Sequence, residues 1–122
     1  NGERISVSSV TACENALIAT GFPYEIASRV DEILERMRPV LSSCQGVRRC
    51  GAAALDLAWT ACGHFDAFYE DELKPWDMAA GALLVTEAGG SISNLDGSPF
   101  DLRWSILAGN KAMHELIGKM IR

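Results

Sequence analysis

The stretch that opens on Lys74-Pro75-Trp76-Asp77 and closes on Glu87-Ala88-Gly89-Gly90 is built to aim one carboxylate. Pro75 fixes its own φ and pushes Lys74 out of the helical region. Gly89-Gly90 offers the left-handed residue on which helices stop, so a helix is predicted from about Asp77 to Ala88. Asp77 then sits at its N-terminus, where unpaired backbone N–H groups and the positive end of the macrodipole favour the charged form. Two roles suit an aspartate there, an N-cap and a ligand for a hard metal ion. The same helix carries Ala79, Ala80, Gly81 and Ala82, and a glycine costs a helix about 1 kcal/mol relative to alanine. Something must approach that face closely, either a strand or a ligand.

Two further groups could meet that carboxylate. Gly51-Ala52-Ala53 opens an Ala-rich helix reaching about Cys62. Its nearly bare backbone would let a ligand approach unpaired N–H groups, and close packing of helix on sheet explains the same small residues. Glu70, Asp71 and Glu72 follow a predicted strand, Phe65-Asp66-Ala67-Phe68-Tyr69. Three acidic residues in a row commonly form a solvated loop, but these lie between a strand end and the Asp77 helix, where ligands gather in open α/β sheets. His64 and His114 lie far apart in sequence, and nothing places them in one site.

The elements that must position these groups alternate along the chain. Asn1-Gly2 is the favoured pair for a tight hairpin turn, and Ile5 and Val7 alternate with Arg4, Ser6 and Ser8. That predicts a strand whose hairpin partner lies upstream of residue 1. Ala16-Leu17-Ile18-Ala19 reads as a buried strand ended by Thr20-Gly21-Phe22-Pro23. Ile26, Val30, Ile33, Leu34, Met37 and Leu41 recur at helical spacing, which predicts an amphipathic helix from Glu25 to about Ser43. Pro39 removes a hydrogen bond there and clashes with the carbonyl of Glu35, so a kink or an early end is expected. Val47-Arg48-Arg49-Cys50 is a brief strand before the Gly51 helix. After the Asp77 helix, Ser91–Leu95 and Ser105–Ala108 read as strands separated by an Asp96-Gly97 turn, and Gly109-Asn110 starts a last helix to Arg122. No linker or repeat interrupts the alternation. The fold class is α/β: a mixed, largely parallel β-sheet covered by helices.

Composition sets the outer bounds. With 122 residues, 48% of them apolar, the chain can bury one sizeable core, so residues 1–122 are expected to be one domain. A formal net charge of −5, with no lysine- or arginine-rich run, argues against a nucleic-acid surface. Cys13, Cys44, Cys50 and Cys62 show no Cys-x-x-Cys pair, which predicts buried reduced thiols rather than a zinc or redox site. No apolar run approaches about 18 residues and no signal-peptide pattern opens the chain, which predicts a soluble cytoplasmic protein with no membrane partner.

The segment Trp76-Asp77, Ala79-Ala80-Gly81, Glu87-Ala88-Gly89-Gly90 resembles the second signature of the inositol monophosphatase family of metal-dependent phosphatases. Ala19–Pro23, Arg48–Ala58 and Asp66–Glu70 also look like family segments, in family order. The resemblance covers nearly the whole chain but only the C-terminal half of the family's. Two N-terminal signatures, one supplying a metal-binding Glu and the other an Asp-Pro-x-Asp-Gly-Thr-like segment, do not occur in these residues.

The resemblance implies hydrolysis of inositol 1-phosphate or a related sugar or polyol phosphate monoester by water activated on two or three Mg²⁺ ions. It also implies lithium sensitivity and a homodimer when the protein is complete. By motif match, Asp77 is a ligand of the second metal, Glu70 hydrogen-bonds ring hydroxyls, and Gly51, Ala52 and Ala53 line the substrate. The family usually has Ser or Thr where this chain has Ala52, which removes a hydroxyl and leaves the backbone contacts. Glu72 stands where close relatives often carry Gly; pointing into the mouth it would repel a phosphorylated substrate, and otherwise it is surface. Mg²⁺ dehydrates reluctantly and takes one or two carboxylates plus substrate phosphate. Asp77 without the N-terminal acidic residues therefore predicts a substrate-side fragment with no useful activity alone, and an uncovered apolar face that favours self-association. The alternative is a non-catalytic binding or assembly module on the same fold.

Overall fold

A computed structural model describes all residues, Asn1–Arg122. Five strands form one sheet: β1 (Leu17–Thr20), β2 (Gly46–Arg48), β3 (Ala67–Glu70), β4 (Ser91–Ser93) and β5 (Ile106–Gly109), in the order β2-β1-β3-β5-β4. β2, β1 and β3 pair in parallel, and β5 runs antiparallel to both β3 and β4, so four strands point one way and β5 opposes them. The mixed, largely parallel sheet expected from the alternation is what forms.

Period-two alternation divides the core. Ala19, Phe68, Ile106 and Ala108 face α2 (Ala53–Ala61) and α3 (Pro75–Glu87) in one cluster with Leu57, Met78 and Val85. Ile18, Ala67, Tyr69 and Leu107 face α1 (Val30–Ser43) and α4 (Lys111–Ile121) in a second cluster with Val40, Met113 and Ile117. Both faces of the central strands are thus covered, which is why they read as continuous apolar runs.

The run of small residues on α3 has a packing explanation. A Cβ at Gly81 would overlap the Leu57 side chain, so it is α2 that approaches this face, and neither a strand nor a ligand. The outer sides of the same two helices stay apolar in water: Leu55, Leu83 and Leu84 are exposed, Leu83 at 62%. A helix apolar on nearly every side is the pattern of one covered on both faces.

Four expectations are corrected. Residues 1–12 contain no strand; Val7 N–H bonds to the Ala88 carbonyl at 3.1 Å, and the Asn110 amide donates to Ser8 Oγ and the Val10 carbonyl. Val7 and Val10 pack singly on opposite core clusters while Ile5 stays exposed, so the segment docks through isolated side chains without a ladder. The long helix starts at Val30, because Ile26–Ser28 forms a 3₁₀ turn and Arg29 leaves helical dihedrals at φ −129°. It then runs through Pro39 to Ser43, so the proline neither ends nor shortens it. Finally, although all four cysteines are free, Cys50 and Cys62 are exposed and Cys13 and Cys44 half-buried, because they fall at element ends rather than inside.

Candidate functional site

The C-terminal ends of the three parallel strands open into a cleft of about 640 Å³. Gly51, Ala52 and Ala53 after β2, Glu70 at the end of β3, and Asp77 in the first turn of α3 all line it. The structure therefore brings together, from three separate stretches, every residue singled out as a candidate. Parallel pairing is the cause, since it stacks strand ends and the following helix starts on one side of the sheet.

Asp77 is the third residue of α3, because the helix starts at Pro75, two positions before the boundary expected from sequence. Its Oδ2 accepts the Lys74 N–H at 2.8 Å, and the Lys74 carbonyl accepts the Asp77 N–H at 2.9 Å. The carboxylate thus closes the helix start, and this bond leaves its other oxygen uncommitted. Across the cleft Gly51 adopts φ +89°, a conformation that side chains rarely take. Ala52 precedes α2 with no side-chain cap; Leu55 N–H turns back to the Ala52 carbonyl at 3.0 Å, and no side chain serves the first-turn N–H groups ahead of it.

Glu70 is half-buried, and its carboxyl lies against Gly21 at the end of neighbouring β1. Burial, together with the negative charges of Asp56, Asp71 and Asp77, pushes it up to about 7, and Arg49 works against that shift. The Arg49 guanidinium sits 5.7 Å from the centre of the Phe22 ring.

The other two acids of the run do not form a solvated loop. Asp71 is buried and accepts from Arg29 at 2.8 Å and Arg36 at 3.0 Å. Burial alone would raise it, but the two guanidiniums override that and hold it below the usual carboxylate range. Glu72 is turned to Arg29 at 2.7 Å, and its φ of +56° is one that suits glycine.

Sequence reasoning missed several residues here. Arg29, Arg36, Phe22 and Trp104 carry no local signal. Asp56 does: a carboxylate inside Ala54-Leu55-Asp56-Leu57-Ala58 is wholly buried, with neither oxygen hydrogen-bonded. Burial raises its pKa, while the Cys50 thiol and Arg49 act in the opposite sense. His64 is exposed and His114 bonds to Ser93 at 2.9 Å, so the two histidines stay apart.

Comparison with known proteins places this geometry. The model of the inositol monophosphatase family matches residues 1–122. The chain is 48% identical over 113 residues to a protein called Nus factor SuhB in Pseudomonas aeruginosa, covering 90% of this chain and 42% of that protein. It is 41% identical to the inositol-1-monophosphatase of Caulobacter vibrioides, over 98% of this chain and 48% of that one. The crystal structure of extragenic suppressor protein suhB from Bartonella henselae superposes with a TM-score of 0.94 at 39% identity, covering 100% of this chain and 47% of that chain. The chain thus spans less than half the length of these relatives.

Proposed function

Because the chain belongs to the inositol monophosphatase family, we propose that it forms the substrate-side half of a phosphomonoesterase site acting on inositol 1-phosphate or a related sugar or polyol phosphate. The observation that carries this reading is the convergence of Gly51, Glu70 and Asp77 on one cleft at the ends of parallel strands.

Asp77 fits a Mg²⁺ ligand, with an oxygen to spare beside its capping bond. No group of three or more His, Cys, Asp or Glu side chains is arranged to hold a metal ion by itself, so Asp77 would supply one ligand and the remaining shell would come from outside these residues. Bound there, Mg²⁺ polarises the phosphoryl group and lowers the pKa of the attacking water. The chain's own residues bind and orient. First-turn N–H groups of α2 take substrate oxygens with help from the helix dipole. Glu70, poised near neutrality, accepts from a ring hydroxyl when charged and donates when protonated. Glu72, held by Arg29, does not repel the substrate as a free acid at the mouth would.

On this reading the complete protein is a lithium-sensitive, cytoplasmic homodimer, and the 122-residue chain alone is inactive. No helix is long and apolar enough to cross a membrane. The test is phosphate release from inositol 1-phosphate at several millimolar Mg²⁺. Release by the complete parent protein is expected. Release by the 122-residue chain above an Asp77→Ala control would end the half-site reading, and a silent parent protein would end the phosphatase reading.

A second reading, assembly rather than catalysis, is supported by the name Nus factor borne by a relative at 48% identity and by the apolar outer face of α2 and α3. A Glu-Glu pair and an Asp-Pro-x-Asp-Gly segment upstream in the parent chain decide for catalysis.

A further inference from the structure

Parallel pairing of β1 with β2 sets Leu17 against Gly46 at the starts of the two strands. A cysteine stands just ahead of each start, Cys13 before β1 and Cys44 before β2. The pairing that gathers the cleft at one end of these strands therefore gathers two thiols at the other.

Backbone hydrogen bonds hold both approaches. Cys13 opens a 3₁₀ turn that closes where the Ala16 N–H meets the Cys13 carbonyl at 2.8 Å, and the Ala16 carbonyl in turn accepts the Gln45 N–H at 3.0 Å. Cys44 ends α1 with its N–H on the Val40 carbonyl at 2.9 Å. Both side chains are half-buried and pack on the same core cluster, together with Val10 and Val47. Cys13 acts on the Cys44 thiol by charge and by side-chain contact, whereas no other cysteine acts on exposed Cys50.

The two thiols are not equivalent as nucleophiles. Burial, then Cys13 and the charge of Asp66, pushes Cys44 up to about 11, which makes it a poor first attacker at neutral pH. Asp66 is fixed there by the Leu17 N–H, 2.6 Å from its Oδ2. Capping Cys13 removes that residue's share of the rise and leaves Cys44 easier to ionise.

We propose that Cys13 and Cys44 are a redox pair, which a low-molecular-weight disulfide converts into a reversible staple across the starts of β1 and β2. In the first step the Cys13 thiolate attacks one sulfur of the reagent, a mixed disulfide forms on Cys13, the reagent's S–S bond breaks and one thiolate leaves. In the second step the Cys44 thiolate attacks the Cys13 sulfur, the Cys13–Cys44 bond forms and the second thiolate leaves. The protons given up by the two protein thiols end on the two released thiolates, so two protein thiols are oxidised and one disulfide is reduced. The loop so closed, residues 13–44, contains the whole of β1 and α1, and the link restricts the unfolded chain more than the folded one. The proposal is independent of the phosphatase reading, because neither cysteine lines the cleft.

The test treats the complete parent protein, shown to be folded by circular dichroism, with oxidised glutathione, then quenches with acid, alkylates and digests with trypsin. Cys13 falls in the peptide Ile5–Arg29 and Cys44 in Met37–Arg48. The two are expected as one disulfide-linked species that reduced glutathione takes apart, and in Cys44→Ser the first step should be trapped as glutathione retained on Cys13. Unfolding in urea before oxidation should cost most of the linked species. Recovery of Cys13 and Cys44 from folded protein only as singly alkylated or singly glutathionylated peptides, or an equal yield of linkage from unfolded protein, overturns the proposal. Urea unfolding then reads the staple itself: the oxidised protein should have a higher midpoint than the reduced one, a difference that Cys44→Ser abolishes, and coincident midpoints in the unsubstituted protein overturn it.

Discussion

The carboxyl of Glu70 lies directly against the bare Cα of Gly21, at the ends of two adjacent parallel strands. A side chain at position 21 and the present position of Glu70 exclude each other. What would have to move is the far end of a flexible side chain, so Gly21→Ala is expected to change stability by less than about 1 kcal/mol while displacing the carboxyl from the cleft. If the complete parent protein hydrolyses a polyol phosphate as proposed, its KM should rise with thermal stability nearly unchanged; a variant with unaltered KM contradicts the proposed role of Glu70.

Glu70 also gives the fold a pH dependence. Its ordinary pKa is 4.5, and in the folded chain it is about 7, so between those values the folded state holds a proton the unfolded state has lost. Stability therefore falls as pH rises through that window. Water still reaches the carboxyl, so the effect is on the order of 1 kcal/mol. Urea unfolding of Glu70→Gln should show a shallower decline from pH 4.5 to 7 than the unsubstituted chain. Asp56, raised in the same direction by its burial, keeps part of the slope in that variant.

Asp71 works in the opposite sense. Arg29 and Arg36 hold it below its ordinary 3.8, so the stability it contributes is present above that pH and lost as pH falls through the lower folded value. Asp71→Ala leaves two guanidiniums facing each other with only Glu32 and Glu72 as partners. A loss of about 2–3 kcal/mol in chemical unfolding is expected, below that of a fully buried pair because both arginines are partly wet. A loss under 0.5 kcal/mol would mean the network is ornamental.

Gly81→Ala pits local against tertiary preference. Alanine favours the helix by about 1 kcal/mol, but its Cβ would overlap Leu57, and overpacking costs typically 1–3 kcal/mol. Net destabilisation is expected by calorimetry, and Leu57→Ala introduced together with it should recover part of the loss. A stabilised single variant shows that α2 yields easily.

The exposed outer face of α2 and α3 predicts association of the isolated chain. Light scattering should show a mass that grows with concentration, and Leu55→Glu/Leu83→Glu should return it toward the monomer. A concentration-independent monomer for the unsubstituted chain rules this out.

How the molecule divides between sequence and structure is visible in particular residues. The helix from Pro75 to Glu87 was legible because its start and stop chemistry is local: a proline, an acid in the first turn and a glycine pair. The strands at Leu17–Thr20, Ala67–Glu70 and Ile106–Gly109 were legible as short apolar runs, because burial on both faces leaves no room for polar residues. The N-terminal alternation misled, since a period of two records that side chains point to opposite sides and not that a ladder partner exists. Glycine's suitability at position 72 becomes intelligible only from the φ of +56° there.

Sequence by itself determined the five strands of the sheet and the four helices to within a few residues, though not the path of residues 1–12, and which carboxylate stands at a helix start, because those depend on neighbours a few residues away. Only the tertiary structure decided that Glu70 rests on Gly21, that Asp71 and Glu72 are claimed by arginines about 40 residues earlier, and that Trp104 shares a cleft with Asp77. Those relations are set by strand order and parallel pairing, which join residues remote along the chain and leave no periodic trace in it.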